Sequence, residues 1–371
     1  MDSLFPASYE ASRARFLRDV ELLRAKWTSS RLETHPLRNF PNLSIDWLWA
    51  APRVKENLVL ISTGQHGMEG YVGSSMLKVF IDEFVPRLNV QNTGLLLVHA
   101  INPWGMKNNR KVNENGVDLN RNFIFHGSFN QSINPDFSKL KHLLAPSNPL
   151  RSFVVENLPF SGRTIQALIR EGASSLTHAA LLGQFLSSDA MFYGGTRHEE
   201  GSMVMMELFR EALDRYQIII HLDMHSGYGP RYQMSITVVP LEPLTSAELS
   251  LKFNYPLILK GDRREFYATH GDMTSYFYQL QKTEFPSKQL FTCAFEFGTF
   301  GDSILARVRS LRAMIFESQL HWYGTKNRKT AEKIRDEFKE LYFPAESRWR
   351  EKAVADCRQA FEGIFTAYEI L

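Results

Sequence analysis

The sequence predicts an α/β protein with a mixed, largely parallel central sheet flanked by helices. Short runs of consecutive apolar residues alternate with segments of helical periodicity, which is the pattern of strand–helix–strand units. These runs do not alternate between apolar and polar residues, as expected for strands that are covered on both faces. Polar residues of the kinds that bind metals follow several of the runs, where open α/β sheets place their sites.

The first half of the motif-bearing core contains two predicted buried strands joined by a helix. An N-terminal helix is predicted over 9–27 from its apolar periodicity, and prolines at 36 and 41 then break the pattern. The strands are Asn57–Thr63 and Gly94–Ala100, and helical spacing fills Gly70–Phe84 between them. This succession predicts a parallel pair of strands.

The same alternation returns later in the chain. A helix that ends near Tyr216 precedes further strand candidates at Ile218–Leu222, Ser235–Val239, Leu257–Leu259 and Leu290–Phe297. Between 125 and 185, scattered prolines predict an insertion of loops and short helices. From 303 to 371 the composition becomes helical and charged, with breaks at Gly324 and Pro344. We expect one catalytic domain over 1–371, with its core at about 57–300.

Composition excludes several classes of protein. The 371 residues include 43 Lys and Arg against 40 Asp and Glu, and the two signs are interleaved, so no footprint for nucleic acid or for a membrane surface is visible. No stretch approaches the ~20 apolar residues of a membrane span, and the first residues do not resemble a signal peptide. With only two cysteines, a disulfide framework is excluded. We therefore expect a cytoplasmic enzyme.

Two clusters offer metal-ligating side chains. His66 and Glu69 lie three residues apart after the first buried strand, where both side chains can reach one cation. Asp223 and His225 follow Ile218–Leu222 and share a side if that strand continues, so that Asp223 could orient His225 as a hydrogen-bond acceptor. Two histidines and one glutamate form a set that zinc prefers in catalytic sites. The alternatives are a local capping interaction in the first cluster and a polar pair at a strand end in the second.

Two further clusters provide a cation for an anionic partner and a carboxylate for proton transfer. Arg110 precedes the segment DLNRNF, which contains Asp118 and Arg121, and guanidinium groups bind carboxylates and stabilise oxyanions. The alternative is a surface turn with solvated arginines, and Asp118 could also pair structurally with either of them. Glu296 ends an apolar strand, where a buried carboxylate acts as a general base or pairs with an arginine of the C-terminal helices. For Glu296, both the general base and the salt bridge stay open.

Five motifs in order, HGME, NPWG with Arg110, DLNRNF, DMHSG and FEFGT, resemble those of the zinc carboxypeptidase superfamily, in particular an uncharacterised bacterial branch. The resemblance spans roughly 66–298. It implies one zinc ion bound by His66, Glu69 and His225. It further implies that Arg110 polarises the scissile carbonyl, although the adjacent Lys111 could fill the same position.

The resemblance also implies the roles of the remaining site residues. Asn120 and Arg121 would hold a terminal carboxylate of the substrate, and Glu296 would act as general base and then as general acid. The peptidase family uses a mobile tyrosine near the substrate, and no motif chooses among Tyr228, Tyr276 and Tyr278.

The core motifs are similar as well to those of the aspartoacylase and succinylglutamate desuccinylase relatives, which cleave acyl groups from amino acids. From the resemblance to the peptidases we expect a zinc-dependent metallocarboxypeptidase that removes a C-terminal residue from a peptide. The alternatives are an N-acyl amino-acid amidohydrolase and an inactive peptide-binding module. In both enzyme interpretations the partner is a small peptide or acyl amino acid with a free carboxylate, and the sequence does not predict an oligomeric state.

Overall fold

The computed structural model describes residues 4–27, 29–261 and 270–371. Eight strands within these residues form one sheet. In chain order they are β1 Ser29–Leu37, β2 Phe40–Ala51, β3 Asn57–Thr63, β4 Thr93–His99, β5 Ile218–Gly227, β6 Met234–Val238, β7 Ile258–Lys260 and β8 Gln289–Gly298. Their order across the sheet is β1-β2-β4-β3-β5-β8-β6-β7.

Helices cover the sheet. In chain order they are α1 Tyr9–Arg24, α2 Gly70–Val79, α3 Pro103–Lys107, α4 Pro135–Leu144, α5 Phe153–Leu181, α6 Glu200–Arg215, α7 Ser246–Phe253, α8 Met273–Glu284, α9 Ile304–Tyr323, α10 Arg328–Tyr342 and α11 Ser347–Ala367. α2 continues as one turn of π-helix over Phe80–Phe84, so the predicted extent of the helix, Gly70–Phe84, is confirmed. Among the helices of the described ranges, none has the length and apolar composition needed to cross a bilayer.

The sheet is mixed and mostly parallel, as the sequence predicts: β1–β2, β2–β4 and β6–β8 pair antiparallel, whereas the centre and the edge pair β6–β7 are parallel. β3 pairs in parallel with both β4 and β5, and β5 pairs in parallel with β8. All seven residues of β3 and all seven of β4 are buried, because helices cover both faces. That burial explains why their sequences are continuously apolar.

The hairpin of β1 and β2 was not predicted from the sequence. β1 lies at the edge of the sheet and pairs only with β2, in antiparallel orientation. Proline is tolerated on an edge strand because its missing N–H faces no ladder partner. Pro36 therefore lies within β1, and Pro41 lies near the start of β2. The two prolines do not end the strands, although the sequence pattern predicts breaks at both.

The helices of the insertion are longer than predicted: α5 spans 29 residues and consists of two helical segments that meet at a kink at Gly172. Pro159 lies inside α5, and Gly172 interrupts its regular backbone with φ +80° and ψ 163°. Such a backbone conformation is essentially restricted to glycine. The predicted breaks near Gly324 and Pro344 are confirmed, since they separate α9, α10 and α11.

The strands that carry the predicted site residues end at one edge of the sheet. β5 extends beyond the predicted run to Gly227, so Asp223 and His225 lie within the strand on the same face. The pairing register of β5 with β8 places His225 opposite Glu296. β3 ends at Thr63, just before His66. Since parallel strands place their carboxyl ends at one edge, these side chains meet there.

Candidate metal centre

His66, Glu69 and His225 lie together at this edge of the sheet. One ligand atom from each side chain lies within 4.8 Å of the other two, and all three residues are buried. Glu69 bridges the histidines: its Oε1 lies 2.8 Å from His66 Nδ1, and its Oε2 lies 3.0 Å from His225 Nδ1. The structure therefore brings together the three ligands that the resemblance implies.

A tight turn positions the first two ligands. Gly67–Glu69 form one turn of 3-10 helix between β3 and α2. A Cβ on Gly67 would lie 2.1 Å from the backbone carbon of Gly105, so only glycine permits this turn to pack against α3. The fixed turn presents His66 and Glu69 to the same point.

Each histidine is oriented by a second carboxylate on its other ring nitrogen. Asp118 Oδ1 lies 2.9 Å from His66 Nε2, and Asp223 Oδ2 lies 2.5 Å from His225 Nε2. Carboxylates in these positions fix the ring orientation of metal-binding histidines. The expected orienting role of Asp223 agrees with this contact. Asp118 bonds to His66 rather than forming the direct ion pair with Arg110 or Arg121 that the sequence left open.

Asp223 is itself held by a buried chain of hydrogen bonds on the side away from His225. The Ser62 hydroxyl donates to Asp223 Oδ1 at 2.6 Å and lies 2.8 Å from His221 Nε2. His221 Nδ1 in turn lies 2.8 Å from the hydroxyl oxygen of Thr292. Every residue of the chain is buried, so solvent does not compete for these bonds. The apolar appearance of β3, β5 and β8 in the sequence gave no sign of it.

The donor set fits one metal ion of the zinc type. Two imidazole nitrogens and one carboxylate, with room for a fourth ligand, are typical of catalytic zinc sites. Although burial opposes ionisation, the charge of His66 and hydrogen bonds from the two histidines keep the pKa of Glu69 below its ordinary value. Glu69 is therefore ionised, as a metal ligand must be.

Glu296 lines the same cavity as the three ligands. Its Oε1 accepts a hydrogen bond from the Tyr228 backbone N–H at 2.9 Å. Burial raises the pKa of Glu296 to about 7, and the charge of Glu69 adds to the increase. No arginine of the described ranges forms an ion pair with Glu296, so the alternative of a salt bridge to the C-terminal helices is not observed there.

The structure separates the two cations that could fill the oxyanion position. Arg110 forms a buried ion pair with Glu317, 2.5 Å between Nε and Oε1, and does not line the cavity. Lys111 does line it, with its Nζ 2.7 Å from His66 Nε2 and 3.4 Å from Asp118 Oδ2. Lys111 therefore lies at the cavity and Arg110 does not, so the role that the resemblance implies for Arg110 finds no support in this placement.

Asn120 and Arg121 both line the cavity. Arg121 is 4% exposed, donates from Nη1 to the Asn120 carbonyl and from Nη2 to the Leu181 carbonyl, each at 2.8 Å, and faces the Phe192 ring. No carboxylate of the described ranges lies within ion-pair distance of it. A buried guanidinium held mainly by carbonyls is a strong site for an anionic ligand.

Of the three tyrosines that the sequence left open, only Tyr228 lines the cavity. Tyr278 donates its hydroxyl proton to Glu242 in the core, and Tyr276 packs against Phe123 and Phe125. Tyr342, at the end of α10, was not predicted as a site residue, yet it lines the cavity and its ring faces Lys111. The sequence around Tyr342 has the periodicity of an ordinary helix and contains no motif that indicates a site residue.

The cavity extends far beyond the metal ligands, with a volume of about 340 Å³. Apolar side chains of α5 and α9 form much of its lining, which we call the apolar wall: Leu168, Leu176, Leu181, Val308, Leu311 and Met314. The volume lies within the usual range for small-molecule sites. The insertion that carries α5 therefore contributes to the site.

The fold and the site together define a protein of carboxypeptidase-like fold with a His–Glu–His candidate site for a single metal ion. Carboxypeptidase A from Helicoverpa armigera is similar in structure, with a TM-score of 0.50 at 14% identity over 91% of this chain and 74% of that one. This similarity establishes the fold. The chain itself belongs to the family described as "Protein of unknown function (DUF2817)", whose sequence profile matches residues 5–356.

Two more distant structural similarities extend the comparison. Bovine thrombin-activatable fibrinolysis inhibitor, in complex with tick carboxypeptidase inhibitor, has a TM-score of 0.47 at 14% identity over 86% of this chain and 97% of that one. An aspartoacylase family protein from Mesorhizobium loti has a TM-score of 0.38 at 15% identity, over 81% of this chain and 68% of that one. No match was found among curated protein sequences.

Proposed function

We propose that this protein is a zinc-dependent hydrolase that cleaves the amide bond next to a carboxylate-bearing residue, most simply as a metallocarboxypeptidase. One observation carries the proposal: the buried Arg121 lines the same cavity as the His66–Glu69–His225 set and Glu296. An anion site beside a metal site suits a substrate whose free carboxylate lies close to the bond that breaks.

Each residue has a distinct part in the proposed reaction. A bound zinc ion would supply Lewis-acid polarisation and a water of lowered pKa. Glu296, whose pKa is near neutral, takes a proton from the attacking water and returns it to the leaving amine. Lys111 stabilises negative charge that develops on the carbonyl oxygen, and Arg121 with Asn120 holds the carboxylate.

Hydrolysis of an N-acyl amino acid is the second candidate function. The same Arg121 site would bind the amino acid's carboxylate, and the apolar wall offers room for an acyl group. The two functions differ only in what lies on the acyl side of the scissile amide.

Mass spectrometry of a substrate pool incubated with zinc-loaded protein distinguishes these functions. The pool contains free-acid peptides, the same peptides amidated at the C-terminus, and N-acyl amino acids. Loss of single C-terminal residues from the free-acid peptides alone supports the carboxypeptidase. Cleavage of the N-acyl amino acids alone supports the deacylase, and equal cleavage of amidated peptides contradicts the carboxylate site.

The Glu296→Gln variant controls for contaminating hydrolases. It removes the proton acceptor but keeps the shape of the side chain. We expect this variant to keep its metal and to lose at least about a hundredfold in turnover. Turnover near that of the unmodified protein would refute the assignment of Glu296 as general base.

A further inference from the structure

We propose that the substrate carries a long alkyl chain on the acyl side of the scissile amide, and that this chain lies along the apolar wall. This inference rests on the proposed zinc-dependent hydrolase and selects its second candidate function, hydrolysis of an N-acyl amino acid, over the carboxypeptidase. It assigns a binding role to α5 and α9, which supply no residue of the metal centre.

The apolar wall has two parts that meet the site at different ends. The α5 part includes Leu181, the last residue of the helix, whose carbonyl accepts a hydrogen bond from Arg121. This part of the wall therefore lies next to the carboxylate-binding end of the cavity. The α9 part follows β8, the strand of Glu296, and opens at Ile304, which is 76% exposed and also lines the cavity. The wall therefore has one end at the carboxylate site and the other at the exposed Ile304, and it lines the same cavity as Glu296.

Packing between the two helices makes the wall continuous. All six wall residues belong to one hydrophobic cluster, in which Leu176 and Leu311 are buried and the other four pack against the cluster. At Gly172 the regular α5 backbone is interrupted, and side chains from both sides of that residue, Leu168 and Leu176, line the cavity. Continuity matters because an alkyl chain gains free energy only where it is covered along its length.

The chemistry of the wall favours an alkyl chain over a peptide. A bound peptide presents an N–H and a carbonyl at each residue, and these groups require hydrogen-bond partners when buried. The six wall side chains are leucine, valine and methionine and offer none; among the α9 residues that line the cavity, Arg307 and Ser310 are polar. The carboxylate of the substrate occupies Arg121, so the chain that follows the wall beyond Glu296 belongs to the acyl group.

The reaction on such a substrate is an ordinary amide hydrolysis. The oxygen of water forms a bond to the acyl carbon, and the C–N bond breaks. Glu296 transfers one water proton to the nitrogen, and the products are a fatty carboxylate and a free amino acid. No oxidant or second substrate is needed.

A chain-length series tests the proposal on the unmodified zinc-loaded protein. The substrates are N-acylglycines from acetyl to dodecanoyl, compared with N-acetyl amino acids that bear larger apolar side chains. We expect kcat/KM to rise by up to about fourfold for each added methylene until the wall is covered, since burying one methylene contributes about 0.8 kcal/mol. A flat series, or a preference that follows the amino acid's side chain instead, would overturn the proposal.

Two variants locate the chain. Leu168→Gln on α5 and Val308→Gln on α9 should each lower the dodecanoyl-to-acetyl ratio of kcat/KM by about tenfold. Leu158→Gln is the matched control, because Leu158 lies on the same α5 but is 73% exposed and does not line the cavity. If neither wall variant changes the ratio relative to this control, the chain does not lie on the wall.

A binding measurement separates failure of this inference from failure of the proposed function. Calorimetry with the Glu296→Gln variant compares dodecanoylglycine with acetylglycine in the absence of turnover. If no substrate is cleaved but dodecanoylglycine binds at least about a hundredfold more tightly, the proposed reaction fails and the chain site stands. Equal binding of the two compounds overturns the chain site even if acetylglycine or peptides are cleaved.

Discussion

At the scale of single residues, Lys111 and Arg110 show how adjacent cations come to have different roles. Lys111 faces the ligands, whereas Arg110 points away into the ion pair with Glu317. Sequence alone offers two positive charges at the right place in the chain. The direction of each side chain depends on where α9 packs, and no local signal records that packing.

We expect Lys111→Met and Arg110→Met to fail in different ways. Lys111→Met should lower kcat by about 10²- to 10³-fold while the protein stays folded, because it removes the charge that we propose to stabilise the developing oxyanion. Arg110→Met should instead destabilise the fold by about 3–5 kcal/mol, because Glu317 is left buried without a partner. Turnover assays and urea unfolding on both variants check this. The reverse outcome would restore the carbonyl-polarising role to Arg110.

The pair of Arg110 and Glu317 also predicts a dependence of stability on pH. Burial raises the pKa of Glu317 to about 7, although Arg110 opposes the increase. The folded state therefore binds more protons than the unfolded state between about pH 4.5 and 7, and stability falls as pH rises through that range. Glu317→Gln should remove on the order of 1–3 kcal/mol of this decrease.

Urea unfolding at several pH values between 5 and 8 measures the effect. Glu332→Gln, at an exposed position on α10, is the control and should leave the slope unchanged. An equally steep decrease in the Glu317→Gln variant would show that the pH dependence arises elsewhere.

Ser62 is expected to affect metal binding without contacting the metal. Ser62→Ala removes a hydrogen bond to Asp223, which orients His225, and leaves His221 Nε2 without this partner. We expect zinc affinity to fall by about tenfold or more, as for other residues that support metal-binding histidines. Competition with a chelator measures it. Ser75→Ala is the control, since the Ser75 hydroxyl bonds only to the Tyr71 carbonyl in its own helix; an equal loss there would contradict the argument.

At the scale of secondary-structure elements, two glycines of α5 have opposite expected effects. Gly172 has a positive φ, so Gly172→Ala should destabilise the protein by about 1–3 kcal/mol, although no atom lies within 4 Å of the new Cβ. Gly162 has the same open surroundings and an ordinary helical backbone, so Gly162→Ala should stabilise it by about 0.5–1 kcal/mol. Thermal unfolding compares the two, and equal changes would contradict the backbone explanation.

The elements also show which patterns a sequence reveals. β3 was predicted with its observed bounds because a buried parallel strand is apolar at every position. β1 was missed because an edge strand tolerates proline and half-exposed polar residues. The length of α5 was underestimated because Pro159 lies inside its first helical segment without ending it, and a kink at Gly172 joins that segment to the second.

At the scale of the whole molecule, the metal ligands could be predicted because their positions follow from topology. Parallel strands end at one edge of the sheet, where β5 carries His225 and the tight turn after β3 carries His66 and Glu69. Tyr342 and the apolar wall could not be predicted, because they reach the site through tertiary packing of the insertion and of the C-terminal helices. The sequence thus predicts the chemistry of the site better than the shape of its cavity.

Zinc content per chain is the most direct test of the central claim, that His66, Glu69 and His225 form a single metal centre at which Glu296 acts only on protons. Inductively coupled plasma mass spectrometry after zinc loading and desalting gives this quantity. We predict about one zinc ion per chain for the unmodified protein and for Glu296→Gln, and less than about a tenth of that for His225→Ala. Full zinc occupancy in folded His225→Ala, or no retained zinc in the unmodified protein, would contradict the account.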